Sequence, residues 1–215
     1  MNRASFRAIR LHHIATVVLI AMGVCGPANA GNILLNGGLD TVGPDGSPVS
    51  GSGPSAAQSW TQFTVVPGST ISSQLLASTD PLGGGEMIDI TTNAGYYAAA
   101  SQGNGFYQDF ATIPAATASF DIFVVSGSVT GGLGLATGPF ASFTAYTPTG
   151  AWQHVTQTVN APVDGMFFEN LVTGAGAEFL LDNLQVNSIP EPGTFAMMLL
   201  AAGSMLLWRV SLARR

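Results

Sequence analysis

The chain has 215 residues, 47% of them hydrophobic and 8% charged, with 12 acids against 6 bases and a formal net charge of −6. Every base is an arginine near one end (Arg3, Arg7, Arg10, Arg209, Arg214, Arg215), and eleven of the acids, all but Glu191, lie between Gly31 and Ile189. A phosphate-binding footprint needs several Lys or Arg, so nucleic-acid binding is excluded, as are arginine clamps and lysine Schiff bases in the middle of the chain.

In chain order, Arg3, Arg7 and Arg10 precede an apolar run over 14–24, and Ala28 and Ala30 put small side chains just before Gly31. That is the layout of a signal peptide over 1–30, cut by signal peptidase after Ala30. The run is short against the ~20 residues that span hydrocarbon. Cys25, the one cysteine, falls inside the signal peptide. The exported remainder therefore has no disulfide, thiolate nucleophile or thiolate metal site.

Residues 31–189 show no amphipathic helical period and read as short strands between turn signals, an all-β sandwich. Strands are predicted at 33–35, 60–66, 87–91, 106–110, 118–125, 133–137, 142–146, 152–159, 166–171 and 178–186. The Gly/Pro/Ser-rich stretch 41–59 reads as a long surface loop, and Thr149-Gly150 and Asp164-Gly165 as turns. No repeat of fixed period appears, which excludes a propeller or solenoid.

Chemistry is sparse in this segment. Its one histidine, His154, shares strand parity with Trp152, Thr156 and Thr158 and is expected to face solvent. No Gly-x-Ser-x-Gly or His-Glu-x-x-His occurs. Glu86, Asp89, Glu169 and Glu178 are available as paired carboxylates, but spacing selects no pair, so no catalytic residue is expected. Asp182 has the parity of Leu180, Leu184 and Val186, an apolar face expected to point inward. A buried ionised carboxylate must be compensated. Protonation, donation from backbone and Asn groups, or a bound Ca²⁺ would each do so. Tyr96-Tyr97, Tyr107, Tyr146 and the tryptophans are candidate platforms for a sugar ring. Tyr96 and Tyr97, in a loop-like segment, are the best exposed pair.

At the far end, Pro190-Glu191-Pro192-Gly193 precedes fifteen uncharged residues, 194–208, and then Arg209, Arg214 and Arg215. The run suits a short transmembrane helix whose arginines stop transfer and stay cytoplasmic, leaving 31–189 outside. The arrangement over 190–215 resembles the PEP-CTERM sorting signal of Gram-negative bacteria, with Pro190, Glu191 and Pro192 as its triplet. The resemblance implies processing by an exosortase in an exopolysaccharide-producing cell. The chain is then exported across the inner membrane, anchored there transiently, and delivered to the cell envelope or the exterior.

Five short motifs in 31–189 also resemble the jelly-roll carbohydrate-binding-module and galactose-binding-like superfamily. They are Asn36-Gly37-Gly38-Leu39-Asp40, Trp60, Gln108-Asp109-Phe110, Trp152-Gln153-His154-Val155 and Leu181-Asp182-Asn183-Leu184. The resemblance implies a jelly-roll β-sandwich over 31–189, with Trp60 and Trp152 packed in its core, and a structural Ca²⁺ joining Asp40 to Asp182. Leu39 and Asp40 depart from the family's usual aromatic residue and Glu. Two functions remain open from sequence. One is an exosortase-sorted, non-enzymatic surface or matrix protein associated with exopolysaccharide. The other is a carbohydrate-binding module that recognises a specific glycan.

Overall fold

Among the residues described by the structure, a computed structural model covering 31–43, 49–135, 140–189 and Gly203, hydrophobic alternation produces twelve strands. They are β1 (Val49–Ser50), β2 (Gly53–Pro54), β3 (Thr61–Phe63), β4 (Ile71–Ala77), β5 (Glu86–Thr92) and β6 (Asn104–Ile113). The second half adds β7 (Ala116–Ser126), β8 (Val129–Gly134), β9 (Phe140–Tyr146), β10 (Gln153–Val159), β11 (Val163–Asn170) and β12 (Ala177–Ser188). The expected signal peptide with Ala28 and Ala30 lies outside the described residues. So does the sorting segment with Pro190, Glu191, Pro192, Arg209, Arg214 and Arg215. Among the described residues no helix is long and apolar enough to cross a membrane.

The strands form two six-stranded antiparallel sheets, ordered β1-β4-β5-β12-β7-β10 and β2-β3-β6-β11-β8-β9. From β5 to β8, and again from β9 to β12, each strand passes to the opposite sheet. The result is a jelly-roll sandwich. Its core is the alternate residues of both sheets: Ala118, Phe120, Ile122 and Val124 of β7 face Met166 and Phe168 of β11 and Phe106 of β6. Trp60 stacks on Phe106 (centroids 4.6 Å apart, 6° between planes), and Phe168 meets Phe120 edge-on at 5.0 Å. Such offset and edge-on contacts suit the aromatic quadrupole.

Several expectations need correction. β4 was not read from sequence, because Ile71-Ser72-Ser73-Gln74 lacks a run of strand formers. It forms because Ser73 is satisfied inside the sandwich, donating to Gln62 Oε1 at 2.5 Å and accepting from Ala56 N at 2.9 Å. That contact also shows that 41–59 is not simply a surface loop. Ser55, Ala56 and Ala57 are buried, and β1 and β2 pair into the two sheets. Residues 34–38 form turns rather than a strand, though Ile33 N donates to Val186 O at 2.8 Å. Asp164-Gly165 lies inside β11 at a register shift, and the chain turns at 160–162 instead. Trp152 leaves the core and packs half-buried against Phe123 on the outer side of β7 (5.8 Å).

The largest correction concerns Asp182. Register pairs it with Asp121 on β7, and Leu181 with the inward Ile122, so Asp182 belongs to the outer face with Leu180. A bulge between Asp182 and Gln185, with Asn183 at φ 52°, shifts the phase and returns Leu184 and Val186 to the core. Parity counted across a bulge assigns the wrong face.

Candidate functional site

The outer face of the β2-β3-β6-β11-β8-β9 sheet carries a cluster of rings. Thr61 pairs with Tyr107, Tyr107 with Phe167 and Phe167 with Gly132, so Tyr107 and Phe167 sit side by side on adjacent strands. Their rings are 5.8 Å apart and nearly parallel, at 13°, and Phe63 meets Tyr107 edge-on at 5.5 Å.

Glycines let these rings lie low. A Cβ on Gly165 would fall 2.4 Å from Phe167 Cζ, and one on Gly105 would fall 3.0 Å from Phe63 Cε1 and 2.9 Å from Glu169 Cγ. The rings thus rest on bare backbone, which a methyl group would fill. Phe63 and Tyr107 are half-buried, and Phe167 is 7% exposed.

Carboxyls flank the rings. Asp109 is exposed on β6, two residues beyond Tyr107, and its pKa is raised by partial burial and by the charge of Asp164. Glu169, two residues beyond Phe167, is 1% exposed. Burial pushes its pKa up to about 7 against the opposing effect of one hydrogen bond, from Gly103 N to Oε2 at 3.0 Å. Flat apolar faces beside oxygen acceptors complement a pyranose ring, whose C–H face is apolar and whose rim is hydroxylated.

The expected platform, Tyr96 and Tyr97, is elsewhere. It lies on the 93–103 loop, between β5 and β6, where Tyr97 N donates to Gln102 O at 2.8 Å. Tyr97 is 37% exposed and Tyr96 half-buried. Tyr146 is in the core, donating no platform, with Gln157 Nε2 3.1 Å from its hydroxyl. Of the sequence candidates among the described residues, Tyr107 alone lies on this sheet face. Phe63 and Phe167 were missed, since the strand register that aligns them is not visible in single-strand parity.

The other sheet gathers acids. Asp182, fully buried, accepts from Asn183 N at 2.7 Å and from Ser78 Oγ at 2.5 Å. Asn183 Nδ2 donates to Asp80 Oδ2 (3.1 Å) and Asp121 Oδ2 (2.9 Å), and His154 Nδ1 pairs with Asp121 Oδ1 at 2.6 Å. His154 is 53% exposed, as its strand parity required, but it is tied to an acid only 2% exposed. Burial, then the nearby charges of Asp80 and Asp121, raise the Asp182 pKa against its two hydrogen bonds.

Asp40 accepts from Glu86 N at 2.9 Å. Its carboxylate abuts Gly85, while that of Asp182 abuts Gly83. The two acids implied as calcium ligands therefore converge on one glycine turn. Among the described residues no group of three or more His, Cys, Asp or Glu surrounds a common point. The two carboxylates are oxygen donors of the kind Ca²⁺ takes, but they alone fall short of the roughly six to eight oxygens it prefers.

No family model and no curated protein sequence matches the chain. Several solved structures are similar to it. The family 11 carbohydrate-binding module of a cellulosomal cellulase of Clostridium thermocellum has 12% identity over 61% of this chain and 88% of that one, with a TM-score of 0.44. The tandem family 22 carbohydrate-binding modules of a Paenibacillus barcinonensis protein have 16% identity over 79% and 49%, at 0.43. An exo-beta-agarase has 9% identity over 74% of this chain and 26% of its own, at 0.48.

Proposed function

We propose that residues 31–189 form a non-catalytic carbohydrate-binding module whose glycan lies across the outer faces of β6 and β11. The observation that carries this reading is the Tyr107–Phe167–Phe63 cluster resting on Gly105 and Gly165, with Asp109 beside it. A non-catalytic role is supported by composition: the segment has no Cys, Lys or Arg, and its one histidine is held by Asp121. The terminal segments supply the setting as read from sequence: export, anchoring by 194–208 and exosortase processing at Pro190-Glu191-Pro192, in a cell that makes exopolysaccharide. Affinity electrophoresis of 31–189 through gels containing β-glucan, xylan, mannan, agarose or the producing cell's own exopolysaccharide tests this. Retardation by one glycan, lost in Tyr107→Ala, is the expected result. Unretarded migration in every gel would favour a passive matrix component.

We also propose that Ca²⁺ is held between Asp40 and Asp182. Supporting this are their convergence on the Gly83–Gly85 turn and the clustering of Asp80, Asp121 and Asp182 in a segment with no Lys or Arg. Bound there, the ion would tie the turn to the sheet and compensate buried negative charge.

A further inference from the structure

β12 stays hydrogen-bonded to the end of the sandwich. Ser188 pairs with Ala116, and Ile189 N donates to Ala115 O at 3.0 Å. Pro190 follows at once, and the uncharged run begins at Thr194. The five Cα–Cα steps from Ile189 to Thr194 reach at most about 18 Å in any conformation. β12 itself, at 12 residues, is about 40 Å long. If 194–208 enters a bilayer, the tether is less than half the length of the domain, and the surface next to Ile189 is held close to the lipid headgroups, each layer of which is about 5–7 Å thick.

Charge decides which face. Among the described residues, the end where β12 finishes carries the β6–β7 turn at Pro114-Ala115 and the β10–β11 turn at 160–162. Pro114, Asn160, Ala161 and Pro162 are exposed there, and Ile113, Ala115 and Ile189 half-buried. No charged residue occurs in 110–116, 160–163 or 185–189. The first carboxylates away from this end are Asp109 and Asp164. Laying the domain on its β5-β12-β7 face would instead press Asp89 and Glu178 onto the bilayer. With no Lys or Arg in 31–189, anionic headgroups repel that face.

We propose that the uncharged end formed by Pro114-Ala115, 160–162 and Ile189 is the membrane-facing surface of the anchored protein, seated on the lipid headgroups. The opposite end, with the Tyr96-Tyr97 loop and the β11–β12 turn, then points away from the bilayer. The proposal rests on the anchoring reading of the tail and not on glycan binding.

The chain's one cysteine simplifies the test. In a Cys25→Ala background, Ala161→Cys at the proximal end, Thr173→Cys at the distal end and Thr91→Cys on the sheet face, all at exposed positions, each take one fluorophore. The full chain is inserted into vesicles of phosphatidylethanolamine and phosphatidylglycerol that carry a nitroxide on the headgroup. Quenching at 161 should exceed that at 173 and at 91 several-fold, and a long Gly-Ser insertion between Ile189 and Pro190 should erase the difference. Equal quenching at all three sites, or strongest quenching at 91, in a chain that resists alkaline extraction would overturn the seating while leaving the anchor intact. A chain that alkaline extraction removes from the vesicles would overturn the anchor and the seating with it.

Discussion

Glu169 takes up its proton inside the fold. With its pKa pushed up to about 7 in the native state against an ordinary 4.5, it binds a proton over a range in which the unfolded chain does not. A raised folded pKa stabilises fully below the unfolded value, and that contribution is lost as pH rises through the folded one. The shift corresponds to about 3 kcal/mol. Urea unfolding of wild type should therefore show lower stability near pH 8 than near pH 4. Glu169→Gln, which keeps the shape and removes the titration, should match wild type at the acid end and exceed it by up to about 3 kcal/mol at the alkaline end. Asn183 makes a second residue-scale case. At φ 52° it donates to both Asp80 and Asp121. Asn183→Gly retains the backbone and loses both bonds. Asn183→Ala also strains the left-handed conformation, so its unfolding midpoint should be the lower, by about 1 kcal/mol in stability. Equal midpoints would mean that the backbone at 183 is unstrained.

Among the elements, β11 and β6 carry the proposed binding face, and the 78–85 loop abuts the acid pair Asp40 and Asp182. Gly165→Ala should displace the Phe167 ring and weaken glycan binding at least about tenfold, or 1.4 kcal/mol, with the fold retained by circular dichroism. Undiminished binding would place the glycan elsewhere. For the loop, calcium at a hundredfold excess over its Kd should add about 2.7 kcal/mol to wild-type stability. That is a rise in Tm of about 5 °C or more for a domain of this size. Asp182→Asn should abolish the rise, and a wild-type melt identical in calcium and in chelator would remove the ion from the site.

What was legible at this scale follows from where periodicity holds. Ala118, Phe120, Ile122 and Val124 alternate without interruption, so β7 and its buried face were readable. The bulge at Asp182 and Gln185 breaks the period of β12, and parity there failed. β4 hides its inward Ser73 behind a hydrogen bond to Gln62, and no hydrophobic pattern marks it. The aromatic cluster was legible only as the single residue Tyr107, because Phe63 and Phe167 reach it through pairings with distant strands.

At the scale of the whole molecule, the ring cluster lies on a sheet face, at right angles to the end where β12 runs into the tail. In the proposed seating that face would stand upright from the bilayer, where the proposed glycan would lie along it. Backbone amide shifts of 31–189, followed during titration with a retarding glycan, test this assignment residue by residue. Perturbations confined to the strands around Phe63, Tyr107 and Phe167, absent in Tyr107→Ala, are expected. Saturable shifts centred on the Tyr96-Tyr97 loop or on the Trp152–Phe123 face, with the Tyr107 face unmoved, would contradict it.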